Sequence, residues 1–353
     1  MIEIPMLFMR AILFIFGLMV GSFLNVCIYR MPRELSINKP ARSFCPHCKM
    51  KIAWFDNIPI FSFLFLRGRS RCCKKRISFV YPVVELVTAL FFVFMFTTFG
   101  LTTKMFIYLA LCCGLIIATF VDIEHRIIPD EISVGGIGVG IALGVFHMMP
   151  ENNLGNLPAA VISLLGALVG VGMICLVRII FSYIQQLVTG KGYEDEQGEE
   201  SEEVNMKELF REILILIPGA VIGWYGFGFV VSLMQGASFH LIGFLNALIG
   251  ASVGASAIYL TAIFGDILFR KESMGGGDIK LLAAIGAFLG WQQVLITFLI
   301  APFFGAVVGI VIKIVKKTSL IPYGPFLSMA ALLVLFWYNE IIELWNSWLT
   351  RGF

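Results

Sequence analysis

Apolar runs near twenty residues long recur along this chain from end to end, and that length is what a helix needs to cross a bilayer. They cover 6–29, 79–99, 104–121, 132–149, 158–183, 212–234, 240–269, 279–290, 292–315 and 323–347, the eighth being short. Of 353 residues, 59% are hydrophobic and only 14% charged, whereas a soluble domain carries about 25% charged residues. The expected fold is therefore an all-α polytopic integral membrane protein, one membrane-embedded domain over 1–353 with about 8–10 transmembrane helices. The first run has no basic n-region and no small-residue cleavage site, so it reads as a retained helix rather than a signal peptide.

Basic residues set the expected orientation. The loop 30–79 holds twelve Lys and Arg against Glu34 and Asp56, which marks it as cytoplasmic by the positive-inside rule. Counting helices then puts 122–131, 184–211, 270–278 and 316–322 on the same side, where Lys271, Lys316 and Lys317 agree. The basic loop is a topogenic signal, and no nucleic-acid partner is expected; the lipid bilayer is the expected surrounding. Seven acids between Glu194 and Glu203 read as a solvated linker. The stretches 160–184 and 244–268 share small-residue spacing, a helix-packing device in membranes that also leaves room for an internal duplication.

Ionisable groups at the edges of membrane helices are costly and therefore informative. Asp122, in "VDIEHRIIPD", ends the third apolar run, and Asp278, in "MGGGDIKLLAAIG", begins the eighth. The topology brings both to one membrane face. Two partly desolvated carboxylates at one depth suit an aspartyl acid/base pair sharing a proton, one member activating water while the other polarises a peptide carbonyl. Gly275, Gly276 and Gly277 would leave room for an extended backbone and permit unusual dihedrals. Taken singly, Asp278 also reads as a helix N-cap and Asp122 as an interfacial residue; Asp130 reads as the cap of the fourth helix and Asp266 as interfacial. No GxxxxGK[ST] loop and no HExxH exists, and neither His147 nor His240 has a nucleophile in a recognisable constellation.

Four of the eight cysteines lie in the basic loop: Cys45 and Cys48 as CxxC, Cys72 and Cys73 adjacent. A reducing cytosol disfavours disulfides, and two pairs of thiolates suit a structural zinc site, with His47 a further candidate, although adjacent side chains diverge. Cys27, Cys112, Cys113 and Cys175 lie in apolar runs and read as small hydrophobes.

Taken in order, "GSFLNVCIYRMP" (21–32), "FCPHC" (44–48), "ISFVYPVVELVTAL" (77–90), "VDIEHRIIPD" (121–130), "MGGGDIKLLAAIGAFLG" (274–290) and "IPYGPFLSMAALL" (321–333) resemble the type IV prepilin leader peptidases. The resemblance implies an aspartic endopeptidase of the GxGD type in the bacterial inner membrane. It would remove the short basic leader of prepilins and pseudopilins at the cytoplasmic face. By motif, the catalytic pair falls on Asp122 and Asp278. The resemblance further implies methylation of the new N-terminus with S-adenosylmethionine, a function associated with the basic loop. Two departures accompany it. The family's second CxxC would put cysteines at 70 and 73, but Ser70 stands at the first place and Cys72 is displaced; residues 190–240 form an apparent insertion. The competing readings are a transporter or channel with paired interfacial carboxylates, and a zinc scaffold without catalysis.

Overall fold

The computed structural model describes residues 6–39, 43–146, 159–189, 206–235, 239–271, 273–316 and 322–351. The acidic run 194–203 and His147 lie outside the described residues. Eleven α-helices are present among them, and no strands beyond two isolated antiparallel bridges, Phe44 with Lys51 and Arg69 with Arg76. They fall into two compact units, Met1–Pro129 and Asp130–Phe353.

The first unit is built on α1 (Met6–Arg30), α3 (Val80–Phe99) and α4 (Thr103–His125), with the short α2 (Phe61–Phe65) inside the basic loop. Small residues let α1 and α3 approach. A Cβ on Gly17 would stand 2.6 Å from the Ala89 Cα, and one on Gly21 would stand 2.7 Å from the Glu85 Cα. Close backbone approach is the main packing device where lipid removes the hydrophobic incentive. Phe16 meets Phe92 edge-on at 5.7 Å, and Asn25 donates to the Tyr81 carbonyl at 3.0 Å.

The second unit holds α5 (Asp130–Gly144), α6 (Ala159–Thr189), α7 (Met206–Gln235), α8 (Phe239–Phe269), α9 (Gly276–Leu289), α10 (Trp291–Lys316) and α11 (Gly324–Arg351). The shared small-residue spacing of 160–184 and 244–268 is spent on packing. Gly166 and Gly170 of α6 face Gly223 and Gly219 of α7, Gly172 faces Ser252 of α8, and Gly250 of α8 faces Gly286 of α9, each so closely that a Cβ would strike backbone. About two turns beyond these glycine contacts on each helix, Tyr259 of α8 donates to Glu212 of α7 at 2.9 Å and Arg178 of α6 lies 3.7 Å from the same carboxylate.

Eight of the helices, α1, α3, α4, α6, α7, α8, α10 and α11, are long and apolar enough to cross a membrane. The remaining two of the ten expected spans are shorter. At 14 residues and 1.5 Å per residue, α9 reaches about 21 Å, short of a hydrocarbon core of about 30 Å. Its residues Leu281–Leu289 are all buried, so it is a core helix of the unit. Gly290, at φ 86°, joins it directly to α10.

Candidate active site

Asp278 stands in the first turn of α9, three places after the N-cap, which is Gly275. Its own N–H returns to the Gly275 carbonyl at 3.2 Å. The N-cap reading of Asp278 is therefore set aside: the cap is Gly275, and the Asp278 carboxyl is half-buried in the first turn, at the positive end of the helix. Gly275 adopts φ −74°, ψ 144°, a conformation open to any residue, so the turn makes no use of glycine's conformational freedom there. Space is what glycine leaves here. A Cβ on Gly275 or Gly276 would meet nothing within 4 Å.

Two further residues of this unit bear on that turn. Asp130 opens α5 and is buried, and its Oδ1 accepts the Lys280 ammonium at 2.7 Å. The residue expected as a simple helix cap is thus half of a buried ion pair that ties α5 to the turn holding Asp278. Tyr323, just before α11, has a buried hydroxyl without a hydrogen-bond partner among the described residues. Burial, and then the charge of Asp278, push its phenol up to about 12, so it is a proton donor at all ordinary pH. The sequence offered no signal for the ion pair, whose partners are 150 residues apart. For Tyr323 the signal was its place in "IPYGP" before an apolar run. Asp266 closes the preceding loop, accepting the Ser273 N–H at 2.8 Å.

In the first unit, Asp122 lies in the last turn of α4 and is buried, 5% exposed. Arg126, left-handed at φ 58°, ends the helix by donating its N–H to the Asp122 carbonyl at 2.9 Å. Beyond it Glu124 pairs with Arg33 at 3.5 Å.

The same unit gathers the loop cysteines. Sγ atoms of Cys45, Cys48, Cys72 and Cys73 all lie within 4.8 Å of one another. Two backbone turns with a 25-residue offset bring this about. Cys45 N–H bonds the Met50 carbonyl at 2.8 Å and Lys49 N–H the Cys45 carbonyl at 2.8 Å; Ser70 bonds Lys75 at 2.8 Å and Lys74 bonds Ser70 at 2.9 Å in the same pattern. Lys49 and Lys74 take the matching left-handed places at φ 60° and 59°. Cys48 therefore corresponds to Cys73, and Cys45 to Ser70. The missing first sulfur of the second turn is replaced from its third place, where Cys72 reaches within 3.1 Å of Cys48, and the Ser70 hydroxyl lies 2.9 Å from it. Adjacency does not keep Cys72 and Cys73 from converging.

A tetrahedral ion with metal–sulfur bonds near 2.3 Å holds its sulfurs about 3.8 Å apart. The Cys45–Cys73 separation is 3.8 Å, so the donors fit a metal of this kind. The turn itself favours one anion already. Burial pushes the Cys45 thiol up, but the Cys48 and His47 amides, the Ser70 hydroxyl and the Cys48 thiol outweigh it and bring it down to about 6. Cys48, beside the Cys72 thiol, is pushed up to about 12. Away from this cluster, Cys27, Cys112 and Cys175 are buried among apolar side chains.

Comparison with known proteins places these features. The family model of the bacterial peptidase A24 N-terminal domain matches residues 15–99, the part that holds both cysteine turns. That of the type IV leader peptidase family matches residues 214–310, which include Gly275–Gly277 and Asp278. The chain belongs to this peptidase family. Among relatives, the prepilin leader peptidase/N-methyltransferase of Aeromonas hydrophila is 27% identical over 94% of this chain and 91% of its own length. That of Legionella pneumophila is 27% identical over 95% and 94%. The Myxococcus xanthus protein of the same name is 31% identical over 84% of this chain and 61% of its own. No solved structure matches. A leader peptidase with eight membrane-grade helices is a multi-pass membrane protein, and Asp122 lies between the two matched segments of this peptidase.

Proposed function

We propose that this peptidase is an aspartic endopeptidase that cuts the basic leader from type IV prepilins and pseudopilins at the cytoplasmic membrane face, with Asp122 and Asp278 as its catalytic pair. The observation that carries the reading is Asp278. It is a half-buried carboxyl in the first turn of a buried half-length helix whose N-cap is Gly275, behind two glycines that leave open space.

The helix ends favour a division of labour. A negative charge is stabilised at a helix N-terminus and opposed at a C-terminus. Asp278, in the first turn of α9, is suited to stay ionised and take a proton from water. Asp122, in the last turn of α4, is suited to carry the proton that polarises the scissile carbonyl. Water adds to that carbonyl, and the tetrahedral intermediate collapses as the leaving amine takes a proton. The open space at Gly275 and Gly276 receives the extended substrate backbone, and the Tyr323 hydroxyl is a further donor near Asp278.

The four sulfurs of Cys45, Cys48, Cys72 and Cys73 would hold a structural zinc ion that fixes the two turns of the basic loop. That loop, with its excess of Lys and Arg, faces the cytoplasm. Methylation of the new N-terminus accompanies cleavage, as the names of the relatives indicate for those proteins.

The test is cleavage of a purified prepilin by single variants. Asp122→Asn and Asp278→Asn should each lower the rate by at least about 10²-fold while inserting normally. The double variant should be hardly worse than either, because the two act as a unit. A well-inserted single variant that cuts at the wild-type rate overturns the mechanism.

A further inference from the structure

One stretch of the basic loop is not basic at all. Residues 57–66 read "NIPIFSFLFL", without a charge, a length too short to span a bilayer but typical of interfacial and re-entrant segments. Its short helix α2 has two faces. Phe63 turns inward and meets Phe79 edge-on at 5.6 Å. Phe61, Leu64 and Phe65, at helical spacing, all point outward, Phe65 being 85% exposed. Large apolar side chains gathered on one face, rather than scattered singly, mark an interaction surface.

The depth of this segment follows from its contact with α3. The Ile60 N–H donates to Glu85 Oε2 at 2.8 Å. The 20 residues of α3 rise about 30 Å, the thickness of a hydrocarbon core, so Val80 marks the loop-side edge and Glu85 lies about 7 Å inside it. Along α1, Gly21, whose added Cβ would stand 2.7 Å from the Glu85 Cα, is about 13 Å from Arg30. Ile58, Pro59 and Phe61 also share a depression with Met19 and Phe23, exposed residues of α1 at that same depth. The loop thus descends alongside the outer face of a membrane-grade helix.

Backbone that enters hydrocarbon must find its hydrogen-bond partners within the protein. This segment does so. Phe61, Ser62, Leu64 and Leu66 return their N–H groups to carbonyls of the segment itself. Ile60, at φ 59° and ψ −49°, forms a γ-turn that a β-branched residue adopts only under strain, and its N–H is the one that Glu85 accepts. A carboxyl 8% exposed within a membrane-grade helix is costly. Here it has a task, as the acceptor for the turn at the bottom of the descent and for the Ser22 hydroxyl.

We propose that residues 58–66 are a re-entrant segment. It dips into the leaflet bordering the basic loop, lays Phe61, Leu64 and Phe65 against lipid acyl chains, and is tethered at its turn by Glu85. It leaves on the side it entered, so the order of the spans is unchanged. Arg67 and Arg69 follow it and are exposed, placed to meet anionic headgroups as the chain emerges.

The test places a photoreactive benzophenone amino acid at Phe65 of the full-length protein in vesicles of phosphatidylethanolamine and phosphatidylglycerol, with adducts identified by mass spectrometry. Position 65 should label lipid acyl chains, while the same group at Met50, between Lys49 and Lys51, should not. Glu85→Gln, whose amide oxygen still accepts, should keep the lipid adduct at 65. Glu85→Leu, which leaves the Ile60 N–H unpaired, should lower it about tenfold or more. Equal lipid labelling at 65 and 50, or labelling of a second copy of the chain at 65 in place of lipid, overturns the re-entrant placement. Undiminished labelling in Glu85→Leu overturns the tether. If Glu85→Leu fails to accumulate in membranes, the comparison of 65 with 50 in the chain that retains Glu85 decides.

Discussion

The Lys280 ammonium lies 2.7 Å from Asp130 Oδ1, with the two side chains 17% and 7% exposed. This pair joins the start of α5 to the turn of α9 that presents Asp278. Removing one member of a buried pair costs about 3–5 kcal/mol, whereas replacing both by apolar groups is often neutral. Asp130→Asn should therefore lower both thermal stability and cleavage, although Asn starts helices well. Asp130→Asn with Lys280→Met should recover most of the stability. A thermal melt and a cleavage rate on the same samples check this, and a silent Asp130→Asn would show the pair to be incidental.

Tyr323→Phe separates stability from chemistry. The hydroxyl is buried without a partner among the described residues, and such a group costs about 1–3 kcal/mol. The Phe variant should melt no lower than wild type. If the hydroxyl donates to charge that develops during cleavage, kcat should nonetheless fall about 10²-fold, with KM little changed. Equal kcat in the two proteins would confine Tyr323 to packing.

Glycines of the second unit should divide sharply by position. Alanine at Gly275 or Gly276 meets nothing, so folding should be untouched while cleavage falls if the substrate backbone occupies that space. Alanine at Gly286 would strike the backbone of Gly250, and the protein should fail to accumulate in membranes. Immunoblots of membrane fractions beside cleavage assays distinguish the two classes.

In the cysteine turns, Cys72→Ser should weaken zinc binding, and adding Ser70→Cys should restore it, because a sulfur at either place of the second turn reaches the same point. Metal analysis of the purified proteins should find about one zinc per chain in wild type and in the double variant. Metal-free wild type would remove the zinc from the proposal.

Zinc uptake should also release protons. Cys48, pushed up to about 12, is a thiol at neutral pH and must lose its proton to bind; Cys45, brought down to about 6, is already largely thiolate. Metal binds the deprotonated ligands, so affinity should fall as pH drops, with Cys45 adding to the loss below about 6. Competition with a chelator at pH 5.5 and 7.5 reads the difference.

Much of the fold was legible because span length is a direct physical requirement. Expected runs such as 79–99 and 292–315 lie within two residues of α3 and α10. The short α9 was legible as well, since Gly290 interrupts its apolar run. The cysteine turns were not. Their likeness lies in hydrogen-bond pattern and in two left-handed lysines, Lys49 and Lys74, a residue type that gives no turn signal. Asp278 was read singly as a possible cap because a boundary of three residues separates cap from first turn, finer than composition can resolve. The Asp130–Lys280 pair depends on the meeting of α5 and α9, which no local pattern records.

The backbone contact between Gly250 and Gly286 has a mechanical consequence. Peptide planes do not repack as side chains do, so α8 and α9 form one stiff body along their shared length. A shift of α8 is passed along α9 toward its first turn, where a Cβ added at Gly275 or Gly276 would meet nothing within 4 Å. The short helix is a cantilever clamped along its shaft by α8 and pinned near its tip by the Lys280–Asp130 pair, and it is the tip that carries the carboxyl.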